Sequence, residues 1–127
     1  MPVAIDSNIL RNYLAGERTL VERFAVIDAV WLPLPVLGEA WFAVLKSSRQ
    51  RQNQERLHAF LDLCYVPPLT MRTAEVYADI RMALQRKGGP IPNNDIWIAA
   101  ACLEHDLPLA TRDSDFQHVN GLVVLNW

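Results

Sequence analysis

Residues 96–103 read IWIAAACL, a stretch of helical length with no polar side chain, set between Asp95 and Glu104. A helix that is apolar all round has no face to give to water, so it must be buried. The rest of the chain supplies what could bury it. VAI (3–5), VWLPLPV (30–36), CYV (64–66), LPLAT (107–111) and GLVVLN (121–126) are short β-like runs, the second carrying two prolines and leading into a helix. NILRNYLAG (8–16), TLVERFAVIDA (19–29), LGEAWFAVLKSS (37–48), QERLHAFLDL (54–63) and TMRTAEVYADIRMALQRKGG (70–89) have helical spacing. Gly16 stops the first of these, Gly88-Gly89-Pro90 stops the last, and Thr70 or Thr73 could cap that last helix. Short strands alternating with helices predict an α/β fold with a mainly parallel sheet.

Composition sets the outer limits. A chain of 127 residues fits one domain with a real core, and 51% hydrophobic with 20% charged residues argues against disorder. No apolar run approaches the ~18 residues of a membrane span. The start, MPVAIDSNIL, lacks the pattern of a signal peptide, so a cytoplasmic protein is expected. Cys64 and Cys102 sit among apolar neighbours and read as small packing residues. Trp41 and Trp97 likewise read as packing residues, not as platforms for bases. A net charge of −2 rules out no class of function, but any polyanion must be held locally or through metal. Lys46, Arg49, Arg51 and Arg56 are concentrated in KSSRQRQNQER, which alone reads as a solvated helix end and loop.

The acids are placed less ordinarily. Ligands of open parallel sheets bind beyond the carboxyl ends of the strands. Asp6 follows the first strand directly, and Asp113 and Asp115 follow LPLAT in the same way. Glu39 lies near the start of the helix after the second strand, and Asp95 starts the apolar helix. Each acid taken singly has a plain explanation in helix capping or the helix dipole, and Asn93 or Asn94 could cap the last helix. Together, four or five carboxylates from distant segments can meet in one cleft, where they repel unless protons or cations neutralise them. Such oxygen ligands suit Mg²⁺ or Mn²⁺ rather than zinc. Ser7, Asn8, Asn94, Thr111 and Ser114 flank the acids and could steady the ligands or bind waters on the metal, besides their ordinary roles in turns and caps.

Carboxylate-held Mg²⁺ without other catalytic apparatus points to phosphate chemistry. There is no G-x-x-x-x-G-K-[ST], G-x-G-x-x-G or G-x-S-x-G, and His58, His105 and His118 lack H-E-x-x-H spacing. His105 is expected at a helix C-terminus. An aspartyl-nucleophile phosphotransferase needs an acid where this chain has Asn8. A phospho-accepting receiver domain needs a lysine after its last strand, and the only lysines are Lys46 and Lys87.

AIDSNIL (4–10), the Glu in VLGEAW (36–41), NNDIWIAA (93–100) and LATRDSDF (109–116) stand in the order and spacing of a PIN-domain nuclease. The chain most resembles the bacterial VapC-type toxins of type II toxin–antitoxin pairs, and VNGLVVLNW is similar to how those chains finish. The likeness runs over residues 1–127 as one PIN-like nuclease domain. It implies a three-layer α/β/α sandwich with about five short, mainly parallel strands. It implies catalytic, metal-binding roles for Asp6, Glu39, Asp95 and Asp113, with Asp115, Ser7, Asn8 and Thr111 in support. It further implies a Mg²⁺- or Mn²⁺-dependent endoribonuclease, usually a homodimer, neutralised by a small antitoxin whose tail covers the site. Ser7 stands where the family's first motif usually has Thr, and the hydroxyl is kept. RNA would then need cations near the acids. Arg49, Arg51, Arg56, Arg86, Lys87 and Arg112 are the candidates, with Arg112 expected closest to substrate. LVERFAVI and VYADIRMAL are apolar enough to supply a dimer interface. The alternatives are a catalytically silent PIN-like module that binds RNA or protein, and a metal-dependent nuclease of RNA processing or of DNA.

Overall fold

The computed structural model describes the whole chain, residues 1–127. Its strands are β1 (Pro2–Ile5), β2 (Ala29–Trp31), β3 (Cys64–Tyr65), β4 (Leu109–Thr111) and β5 (Val124–Asn126). They form one sheet in the order β3-β2-β1-β4-β5, with every pairing parallel. Helices α1 (Ser7–Leu14) and α2 (Arg18–Phe24) lead from β1 to β2, and α3 (Leu34–Lys46) and α4 (Gln50–Leu61) lead from β2 to β3. Helices α5 (Met71–Lys87) and α6 (Asn93–Glu104) return the chain to β4, and a 3₁₀ turn, Ser114–His118, precedes β5.

Crossovers between parallel strands are right-handed. The steps β1 to β2 to β3 run one way along the sheet, and β3 to β4 runs back across β1. The first four helices and the last two therefore cover opposite faces, giving the expected three-layer sandwich. The strand order also reverses between β1 and β4, the place where open α/β sheets bind their ligands.

The apolar helix behaves as its composition requires. Along α6, Ile96, Ile98, Ala99, Ala100, Ala101 and Cys102 are all buried. Its one bulky aromatic, Trp97, stacks on Tyr77 of α5 with centroids 4.1 Å apart. Trp41 packs edge-on against His58, and both cysteines are free thiols, Cys102 fully buried. His105 stands at the C-terminus of α6. Helix α5 is closed at its start by a reciprocal Thr70–Thr73 capping box and at its end by Gly88 at φ 73°. No helix is long and apolar enough to cross a membrane.

Several boundaries differ from the sequence expectation. Helix α3 begins at Leu34, not 37, because Pro33 takes the N-cap position and Pro35 falls in the first turn, where the missing N–H has no partner to lose. Helix α4 begins at Gln50, not 54, so most of the basic run is helical. Helix α2 ends at Phe24, and β4 and β5 are three residues each, shorter than their apolar runs. Pro92, not Asn93 or Asn94, holds the N-cap position of α6, and no side chain caps it.

Candidate active site

The site begins with strand register. Strands β1 and β4 pair Ala4 with Leu109 and Ile5 with Ala110, so the next step brings Asp6 beside Thr111. The Thr111 hydroxyl donates to Asp6 Oδ2. Asp6 Oδ1 accepts the backbone N–H groups of Asn8 at 3.1 Å and Ile9 at 3.3 Å, which caps α1. Asp6 is only 4% exposed. Burial raises its pKa, and the Asp113 charge adds to the rise, against the opposing effect of the three hydrogen bonds.

Asp113 leaves β4 in the same direction. Its N–H donates to Thr111 Oγ1 at 3.0 Å, and its carboxylate accepts the Asp115 N–H at 2.9 Å, capping the 3₁₀ turn. Asp95 enters from the other face, in the first turn of α6. Carboxylate oxygens of Asp95, Asp113 and Asp115 all lie within 4.8 Å of one another. Desolvation first, then the charges of Asp113, Glu39, Asp115 and Asp6, push the Asp95 carboxyl up to about 6. Five acids thus share one electrostatic field at the switch point.

Glu39, from α3, is held on both oxygens, by the Ser7 hydroxyl and by the Asn94 side-chain amide. Asn94 is free for this because Pro92 has taken the cap position. Asn8 contributes its backbone N–H to Asp6, while its side-chain carbonyl accepts from Arg11 at 2.9 Å. The capping explanation therefore holds for Asp6 and Asp113, and the same residues also cluster. Asp115, expected in support, belongs to the close trio, whereas Asp6 and Glu39 stand beside it with their oxygens engaged by donors.

No lysine or arginine pairs with any of the five acids. A self-repelling set of carboxylate oxygens, some part-buried and all without a protein cation, fits a hard divalent ion.

The basic residues are distributed differently from the expectation. Arg112 forks onto both oxygens of Glu17 and reaches the main-chain oxygen of Trp127 at 3.0 Å, so its donors are committed away from the carboxylates. Arg51 pairs with Glu55 at 3.6 Å on the exposed side of α4, and Arg49 precedes that helix, exposed. Lys87 is tied to His118 and Asn120, and Arg86 is exposed in the last turn of α5. Of the candidates, Arg56 lines a cleft that also touches Ser7, Asn8 and Glu39. Nothing local in the sequence ranks Arg56 above its neighbours, because its distinction comes from which helices α4 packs beside.

This architecture has known counterparts. The model of the PIN domain family matches residues 3–122. The chain is 31% identical over 108 residues to Ribonuclease VapC2 of Rickettsia felis, covering 84% of this chain and 81% of that one. It is 35% identical over 119 residues to Ribonuclease VapC5 of Mycobacterium tuberculosis, covering 92% and 87%. Its fold superposes with a TM-score of 0.94 on the crystal structure of VapBC2 from Rickettsia felis bound to a DNA fragment from their promoter, at 24% identity and covering 100% and 99%. The match over residues 3–122, with the acids where the sheet brings β1 and β4 together, makes this chain a member of the PIN-domain family, alongside the VapC ribonucleases.

Proposed function

We propose that this protein is a divalent-metal-dependent endoribonuclease and the toxin of a toxin–antitoxin pair, with residues 1–127 acting as one nuclease domain. The observation that carries the reading is the convergence of Asp6, Glu39, Asp95, Asp113 and Asp115 at the switch point without a protein cation. Asp6, Glu39, Asp95 and Asp113 would hold Mg²⁺ or Mn²⁺, with Asp115 beside them. When bound, the ion supplies an activated water and offsets the charge that builds on the phosphodiester. Thr111 fixes the orientation of Asp6, and Ser7 and Asn94 fix that of Glu39, so the carboxylates need not reorganise when RNA arrives. The relatives named as ribonucleases support RNA as the substrate.

A small antitoxin protein is the proposed partner, supported by a structural neighbour, VapBC-5 from Mycobacterium tuberculosis, that is a member of the VapBC family of toxin–antitoxin systems. The working assembly is proposed as a homodimer. Phe42 and Leu45 on α3 and Met82 on α5 are exposed apolar side chains available for such a contact. A toxin acting on cellular RNA would work in the cytoplasm.

The test is cleavage of total cellular RNA by purified protein with Mg²⁺ or Mn²⁺, and with EDTA, beside Asp6→Asn and Asp95→Asn. Asn at position 6 keeps a helix-capping side chain, so the variant isolates the charge from the fold. Metal-dependent cutting at few sites, lost in both variants, is expected. Folded wild type that cuts nothing, with metal present and antitoxin absent, makes the protein a binding module instead.

A further inference from the structure

A cleft of about 420 Å³ lies not over the acid trio but beside it, between α1, α3 and α4. Ser7, Asn8 and Glu39 form the end nearest the acids, and Ser7 is the residue whose hydroxyl holds Glu39. The walls beyond are aliphatic, with Leu10, Ala43 and Leu57 among them. Arg56 and Asn53 of α4 stand among its lining residues, and Arg56 makes no ion pair within the chain.

A polymer whose phosphate sits at the carboxylates has its next nucleotide one sugar–phosphate step away, and the cleft begins at Glu39, one of those carboxylates. Single-stranded RNA is read by splaying bases out of the strand, setting their flat faces against side chains and bonding their edges. Apolar walls suit the faces, the Asn53 amide offers both a donor and an acceptor to an edge, and an unpaired guanidinium suits the adjoining phosphate. The volume lies in the range that holds one small ligand.

We propose that this cleft seats the base of the nucleotide next to the scissile phosphate, with Arg56 on its phosphate and Asn53 on its edge, and so sets which base stands beside the cut. The proposal rests on the ribonuclease reading and goes further by assigning sequence selection to α4.

The test uses single-stranded RNA of random sequence, with cut positions mapped for full-length wild type, Ala43→Phe, Asn53→Ala and Arg56→Gln in Mg²⁺. Wild type is expected to prefer one base at a position flanking the cut. Ala43→Phe fills the cleft and abolishes that preference, with KM raised about tenfold, the size of one lost base contact. Asn53→Ala relaxes the preference with an unchanged melting temperature, so the proposal stays testable even if the bulkier variant fails to fold. Arg56→Gln keeps the preference but raises KM and flattens its dependence on salt. If wild type cuts and the variants cut at the same bases with the same KM, the inference is overturned and the cleft belongs to a protein partner. If wild type cuts nothing, the ribonuclease reading itself has failed, which is a different result.

Discussion

Glu17 and Arg112 meet fork to fork: Arg112 Nη1 donates to Glu17 Oε1 at 2.9 Å, and Nη2 donates to Oε2. Glu17 lies in the turn between α1 and α2, and Arg112 lies between Thr111 and Asp113, so the pair joins that turn to the loop that carries two site residues. The hydrogen bonds from Arg112, with one from Thr19, hold the Glu17 carboxyl down at about 2. A depressed carboxyl pKa favours the folded state above its ordinary value of 4.5, and that contribution fades as pH falls towards 2. If the pair positions the loop, Glu17→Ala and Arg112→Ala lower cleavage to a similar extent, several-fold each, and the salt dependence of RNA affinity stays as in wild type. If Arg112 instead contacts RNA, only its own substitution weakens binding and flattens the salt dependence, while Glu17→Ala frees it and tightens binding. Cleavage rates and RNA affinity at two salt concentrations decide between the two.

Thr111 serves two acids at once, donating to Asp6 and accepting from the Asp113 backbone. Thr111→Val keeps the shape and removes both bonds, leaving a buried carboxylate short of a donor. The expected cost is about 1–3 kcal/mol of stability, with Mn²⁺ affinity lowered because a less solvated Asp6 holds its proton more tightly. Thr111→Ser restores both properties. Urea unfolding and Mn²⁺ titration of the protein alone measure them, and a Val variant that binds Mn²⁺ as wild type does would free Asp6 from dependence on Thr111.

Some of this was legible in the sequence for physical reasons, and some was not. The burial of α6 follows from IWIAAACL because no arrangement of that helix offers a wet face. Asp6 and Asp113 could be placed because parallel strands send whatever follows them to one edge. The start of α4 was hidden, since QRQNQ has no apolar residue for periodicity to act on, and the helix there is largely exposed. The Glu17–Arg112 pair spans 95 positions and Asn94–Glu39 spans 55, and no local pattern marks such partners. The expectation for Arg112 came from its neighbours in sequence, which could not show its bonds to Glu17 and Trp127.

Away from the acids, Thr73 tests whether stability and chemistry separate. It is fully buried on α5 and donates to Glu104 at the end of α6, which also accepts from Thr70 at 2.6 Å. This joins the two helices on one face of the sheet at the end remote from Asp95. Thr73→Val should cost about 1–3 kcal/mol while leaving cleavage per folded molecule unchanged. Calorimetry beside activity corrected for folded fraction checks it, and an activity loss at full folding would show that the far end of α6 governs how Asp95 is presented.

The crowding of acids makes a prediction about pH in the absence of metal. The Asp95 carboxyl titrates at about 6 in the folded chain against 3.8 ordinarily. Between those values the folded protein keeps a proton that the unfolded chain has released, so stability from this group falls as pH rises through the window. Asp95→Asn removes the conflict and should melt above wild type at pH 7 in EDTA. The gap should be about 3 °C, a figure that allows for solvent screening of a part-exposed group, and it should shrink towards pH 4.5. Mg²⁺ should raise the wild-type melting temperature at pH 7 and have less effect at pH 4.5, where Asp95 already holds a proton. A variant that melts below wild type at every pH would mean that Asp95 is held by favourable contacts rather than crowded by its neighbours, and the five acids would then not form one electrostatic unit.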